Sequence, residues 1–153
     1  MIHFIDEDWP AWLSWTGELE VRGWQVNKIW CADDAYNQLT SSEAPAIDLV
    51  IIDVMLAVKD YEGDQFTDTR TAHYLQTGLV LLEDLVATNP TPYPGRAVFL
   101  SNMMGEETRR ATERTCRLYE VDLWRKSQFE SPVMFADHVE AHIQKLNAKG
   151  VSR

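Results

Sequence analysis

No stretch of this sequence approaches the ~18 consecutive apolar residues that a membrane-spanning helix needs. The N-terminus "MIHFIDEDWP" carries acids where a secretory leader would carry positive charge, so the chain is expected to be cytoplasmic, with no membrane partner. Cations are also scarce: 14 Lys and Arg against 24 Asp and Glu leave a net charge of −10. Proteins that grip nucleic acid neutralise its phosphates with a Lys/Arg surface, so nucleic acid is not an expected partner. An acidic cleft around a divalent cation suits this charge better. Cysteine is limited to Cys31 and Cys116, far apart and in no C-x-x-C motif, which read as reduced, small apolar side chains. Internal repeats, low-complexity tracts and linkers are missing as well.

What remains is an ordinary globular composition, 45% hydrophobic and 25% charged, in 153 residues. That length fits one domain over 1–150 with a short tail at 151–153. Short apolar runs read as strands: "IHFI" from Ile2, "VNKIW" from Val26, "LVII" from Leu49, "AVFL" from Ala97 and "VDLW" from Val121. Several are apolar at nearly every position, as parallel strands covered on both faces are. Helical periods lie between them. Trp12, Trp15, Thr16 and Leu19 share a face of a first helix, with Pro10 at its start, Asp8 as its N-cap and Gly23 at its end. A second helix spans Asp33 to Leu39, capped by its Asp pair. Leu75, Leu79, Leu82 and Val86 mark a third, and Ala111, Thr115 and Leu118 a fourth. The fifth opens at Ser131-Pro132, carries Phe135, Val139, Ile143 and Leu146 on one face, and stops near Gly150.

Five β-α units in sequence predict a doubly wound parallel sheet with helices on both faces. Such folds bind ligands outside the C-terminal ends of their strands. Asp6, Glu7 and Asp8 follow the first strand, Asp53 the third, Ser101 the fourth and Lys126 the fifth. Carboxylates packed this closely hold their protons unless a cation sits among them. Oxygen ligands with room for water describe a Mg²⁺ site. There Asp53 could attack a phosphoryl group, with Lys126 neutralising one phosphoryl oxygen and Ser101 donating a hydrogen bond to another.

The motifs "FIDED" (Phe4 to Asp8), "DLVIIDVM" (Asp48 to Met55), "VFLSN" (Val98 to Asn102) and "DLWRKS" (Asp122 to Ser127) resemble, in order, those of response-regulator receiver domains of two-component signalling. The resemblance covers nearly the whole chain. It implies a flavodoxin-like sheet in the order 2-1-3-4-5 and a phosphoryl-accepting signalling module. It further implies that Asp53 receives phosphate from a histidine kinase or phosphotransfer protein, and that Asp6, Glu7, Asp53 and the Met55 carbonyl bind Mg²⁺, Asp6 mostly through water. Ser101 and Lys126 would sense the phosphoryl group. With the last helix ending near residue 150, output would pass to a downstream protein or by relay of phosphate, and a homodimer is a further candidate assembly.

Several positions depart from the family pattern. The Gly that opens the third helix comes only at Gly78, which makes approximately 56–76 an insertion beside the site, a candidate lid or partner contact carrying Tyr61 and Phe66. Ser127 replaces a usual Pro, Leu123 a switch aromatic, and Asn102 a small residue.

Other readings stand beside this one. Asp6 and Asp8 also fit the D-x-D nucleophile motif of haloacid-dehalogenase-like phosphatases, whose late acidic pair could only be Asp137 and Glu140. A receiver fold that binds protein without being phosphorylated is a third reading. His138 and His142, spaced i, i+4, could share a metal but lack a third ligand in the sequence. His3 and His73 suggest packing or surface roles only. Trp9 and Trp24 belong either to the core or to a partner-facing surface.

Overall fold

Strands that are apolar on both sides need a helical layer on each face, and the chain supplies two. The computed structural model describes residues 1–59, 61–102 and 105–150. Strands β1 (Ile2–Ile5), β2 (Val26–Ile29), β3 (Leu49–Ile52), β4 (Ala97–Ser101) and β5 (Asp122–Arg125) form one parallel sheet in the order β2-β1-β3-β4-β5. Helices α1 (Leu13–Val21), α2 (Ala32–Thr40), α3 (Thr77–Thr88), α4 (Glu106–Tyr119) and α5 (Pro132–Ala148) alternate with them. The expected fold and sheet order are both present. Residue 60 of the expected insertion and the tail at 151–153 lie outside the described residues.

Alternation along the strands divides the core. Ile2, Phe4, Leu49, Ile51, Val98 and Leu100 pack with Trp12, just before α1, Leu19 of α1, and Phe135, Val139 and Ile143 of α5. Ile5, Val50, Ile52, Ala97 and Phe99 pack with α2, α3 and α4. Ser131 caps α5 as expected, its hydroxyl accepting from the Met134 N–H at 3.2 Å, with Pro132 in the first turn. At the N-terminal ends of β3 and β4, fully buried Arg96 donates to the Asp48 carbonyl (3.1 Å) and to Asn147 Oδ1 (3.2 Å).

Four local expectations change, one at each of four helices. Asp8 does not cap with its side chain: the chain enters α1 through a 3-10 turn at Trp9–Trp12, and the Asp8 N–H donates to Asp6 Oδ1 at 2.8 Å. Neither Asp33 nor Asp34 caps α2, whose N-cap position is Cys31; both lie in its first turn, where their charge favours the helix dipole. The buried line of α4 is Thr108, Ala111, Thr112 and Thr115, leaving Leu118 67% exposed, while Leu75 precedes α3 and is 48% exposed.

The segment from Asp53 to Gln76 folds back onto the domain. Val54, Leu56 and Val58 alternate into the core, and Phe66 is buried with them. Ala57 pairs with Cys31, its carbonyl accepting from the Ala32 N–H at 2.9 Å, and the Lys59 N–H donates to Asp33 Oδ2 at 2.6 Å. Arg70 ties the segment to Asp84 of α3. Ala72, His73 and Tyr74 take φ of 50°, 57° and 63° in succession, a left-handed run that L-residues avoid. Buried Thr71 holds that run in place: its hydroxyl donates to the Thr67 carbonyl (2.8 Å) and accepts from the Tyr74 N–H (3.0 Å).

Candidate functional site

In-register strand pairing sets the site. Ile5 pairs with Ile52, Ile52 with Phe99, and Ser101 with Arg125, so the residues that follow or end these strands emerge at one edge. Asp6 and Asp53 are almost wholly buried there. The Asp6 N–H donates to the Ile29 carbonyl (3.0 Å) and the Asp53 N–H to the Ile5 carbonyl (2.9 Å), which locks both acids to neighbouring strands.

Lys126, the first residue after β5, joins them. Its Nζ donates to Asp6 Oδ2 at 2.7 Å and to Asp53 Oδ2 at 2.8 Å. The other Asp53 oxygen accepts from the Met55 N–H at 3.3 Å. Ser101 is fully buried, and its hydroxyl has no partner among the described residues. A buried hydroxyl without a partner is costly, and one at this edge is free to bond a ligand.

Burial pushes the Asp53 carboxyl up to about 6, with the Asp6 charge adding to the rise and Lys126 opposing it. For Lys126, burial favours the neutral amine, yet the charges and hydrogen bonds of Asp53 and Asp6 outweigh it and raise its pKa. Glu7 lies on the exposed side. Partial burial and then the Asp6 charge raise its carboxyl, with Lys126 opposing and Asp8 adding. The pocket thus holds more negative charge than one ammonium compensates.

Among the described residues, no three His, Cys, Asp or Glu side chains form a metal cage. Mg²⁺ requires none, since it binds through one or two carboxylates and keeps several waters. Asp6 and Asp53, with Glu7 beside them, are a donor set of that kind.

The other candidates are dispersed. Asp137 and Glu140 accept from Arg22 at 2.7 and 2.8 Å, and Glu140 also accepts from the Trp24 indole N–H at 3.0 Å, so no late acidic pair reaches Asp6. His142 Nε2 lies 2.9 Å from the Gly95 carbonyl and its ring meets Trp124 edge-on, as does that of His138. Trp9 and Trp24 are half-buried against the α1/α5 core, and Trp30 is the more exposed indole at 44%. Asn102 is exposed, and Leu123 is half-buried against the α2–α4 side. Sequence reasoning placed Trp12 only in the core; its ring also lies under the Lys126 ammonium.

No family model and no curated protein sequence matches the chain. Solved structures do match its fold, several of them response-regulator receiver domains. The receiver domain of NtrX from Brucella abortus is 20% identical over 94% of this chain and 98% of its own, with a TM-score of 0.62. A CheY-like receiver domain protein from Methanospirillum hungatei JF-1 is 14% identical over 97% and 96%, with a TM-score of 0.65. The signal receiver domain of a putative Luxo repressor protein from Vibrio parahaemolyticus is 13% identical over 97% and 93%, at 0.62. The fold of this chain is the CheY-like receiver fold.

Proposed function

We propose that this protein is a phosphoryl-accepting signalling module in which Asp53 takes a phosphoryl group from the phosphohistidine of a histidine kinase or phosphotransfer protein. The observation that carries this reading is the single ammonium of Lys126 bridging Asp6 and Asp53 beside the unpartnered hydroxyl of Ser101. An Asp53 oxygen forms the new P–O bond as the donor's N–P bond breaks, and the imidazole keeps the electron pair. Asp6, Glu7, Asp53 and the Met55 carbonyl would hold Mg²⁺, which when bound offsets repulsion between carboxylate and phosphoryl oxygens. Lys126 neutralises one phosphoryl oxygen, and Ser101 donates its hydroxyl to another.

The outcome is a change in protein partners rather than turnover of a substrate. The chain works in the cytoplasm, where such kinases act, and the segment around 56–76 is an insertion beside the phosphoacceptor. Hydrolysis of phosphate esters through Asp6 and Asp8 finds no support, because Asp137 and Glu140 are committed to Arg22 and Trp24.

The test is incubation with acetyl phosphate and Mg²⁺, followed by intact-mass measurement of the wild type, Asp53→Asn and Asp6→Asn. One phosphoryl group on the wild type and none on Asp53→Asn is the expected result. Turnover of phosphate esters that is abolished by Asp6→Asn and untouched by Asp53→Asn would replace this reading with the phosphatase one.

A further inference from the structure

The Lys126 ammonium makes a contact that its two carboxylates do not explain. Its Nζ lies 5.5 Å from the centroid of the Trp12 ring, within the ~6 Å at which an ammonium is drawn to an aromatic face. Trp12 cannot turn aside freely. It is 9% exposed, and its ring is wedged against Phe4, Trp15 and Phe135 at centroid distances of 6.0, 5.1 and 6.0 Å. The Lys126 side chain is itself only 10% exposed, so water screens the contact little. Of its three N–H donors, Asp6 and Asp53 take two, and no further acceptor is found among the described residues.

We propose that Trp12 is a positioning residue for Lys126, its indole face holding the ammonium at the pocket independently of the carboxylates. The inference rests on the phosphoryl-accepting reading for its consequence, though not for the contact itself. Any cation that binds Asp6 and Asp53 competes with Lys126 for the same oxygens. The Trp12 face is not contested in this way. A flexible lysine released from both carboxylates would otherwise sample solvent, whereas the ring keeps it where a phosphoryl oxygen on Asp53 will need it. Trp12 is thus more than filler between α1 and α5: it links the aromatic core to the charge that reads the phosphoacceptor.

Two measurements on Trp12→Phe, Trp12→Leu, Lys126→Met and the double variant Trp12→Leu/Lys126→Met decide the matter. The first is the proton–carbon NMR spectrum of the lysine ε-methylenes, with Lys126 assigned by the signal missing from Lys126→Met. The Lys126 ε-protons should be shifted upfield by the ring current, keep that shift in Trp12→Phe and lose it in Trp12→Leu. No upfield shift in the wild type overturns the proposal. The second is the initial rate of Asp53 labelling by acetyl phosphate with Mg²⁺. Trp12→Leu should slow it about tenfold and Trp12→Phe about twofold, with no further loss when Trp12→Leu is added to Lys126→Met. An equal loss in both backgrounds would reduce Trp12 to a packing role and overturn the proposal. If the wild type takes no label, the phosphoryl-accepting reading falls, and the ring-current shift alone decides whether Trp12 holds Lys126.

Discussion

Gly78 packs its Cα against the backbone carbonyl of Asp53: a Cβ at residue 78 would lie 2.0 Å from that oxygen and 3.1 Å from Ile52 Cγ2. The Gly78 N–H also donates to the Val54 carbonyl at 3.0 Å, so the start of α3 is clamped to the segment that carries the phosphoacceptor candidate. Because the obstruction is backbone, no side chain can rotate away from it.

Gly78→Ala is therefore expected to cost at least ~2 kcal/mol in urea unfolding and to slow labelling of Asp53. Gly17→Ala is the control. Gly17 lies in α1 with nothing within 4 Å of an added Cβ, and alanine there should stabilise by roughly 0.5–1 kcal/mol. If both variants behaved alike, the close approach at Gly78 would not be what positions Asp53.

Phe66 anchors the β3–α3 segment, being 1% exposed among side chains of the α2–α4 core. Phe66→Ala should cost about 3–5 kcal/mol and open the segment to limited proteolysis between residues 61 and 76. Tyr61 is 64% exposed and meets Tyr74 edge-on at 5.3 Å. Its replacement by alanine should cost no more than about 1 kcal/mol and leave the protease pattern as it was. Equal protease sensitivity of the two variants would contradict a segment held from inside.

A charge-assisted bond from the Lys59 N–H to Asp33 Oδ2, at 2.6 Å, fastens the same segment to the first turn of α2. Asp33→Ala should raise hydrogen exchange at the Lys59 amide roughly tenfold, and Asp33→Asn, which keeps an acceptor, should restore much of the protection. Unchanged exchange in Asp33→Ala would show that the Ala57–Cys31 pairing suffices.

These contacts mark the boundary of what the sequence discloses. Strand runs such as "LVII" are legible because parallel strands covered on both faces are apolar throughout, and Asp6, Asp53, Ser101 and Lys126 are legible because such sheets present their strand ends together. Leu118 misleads, since α4 buries threonines whose hydroxyls can bond back to the helix, as Thr112 does to the Thr108 carbonyl at 2.8 Å. Arg96 carries no sequence sign of burial, because its partners Asp48 and Asn147 are brought to it only by the fold. The left-handed run at Ala72, His73 and Tyr74 contains no glycine to announce it, and the bonds of Thr71 that hold it are local but nonperiodic. Trp12 reads as core by its spacing, and only the return of β5 brings Lys126 over its ring.

His3 gives the fold a pH dependence of known sign. It is 1% exposed on β1; Asn27 Nδ2 lies 3.2 Å from its Nδ1, and its Nε2 has no partner among the described residues. Burial, reinforced by the nearby N-terminal ammonium, lowers its pKa from 6.5 to about 4. Below pH ~6.5 the unfolded chain takes up a proton that the folded one refuses, so the stability this site contributes is complete above that pH and is lost as the pH falls towards 4, by about 3 kcal/mol in all. Asp53, whose carboxyl is raised to about 6 in the folded state, acts in the opposite sense over an overlapping range, gaining stability as the pH falls. The raw pH profile of the wild type therefore mixes the two. The informative quantity is the difference between wild type and His3→Leu in urea unfolding at pH 7 and pH 4.5. The leucine variant should lose at least ~2 kcal/mol less than the wild type over that interval, with Asn27 still bonded to Gln38 at 2.9 Å. Parallel profiles for the two proteins would mean that His3 titrates alike in the folded and unfolded chain, and that water reaches it.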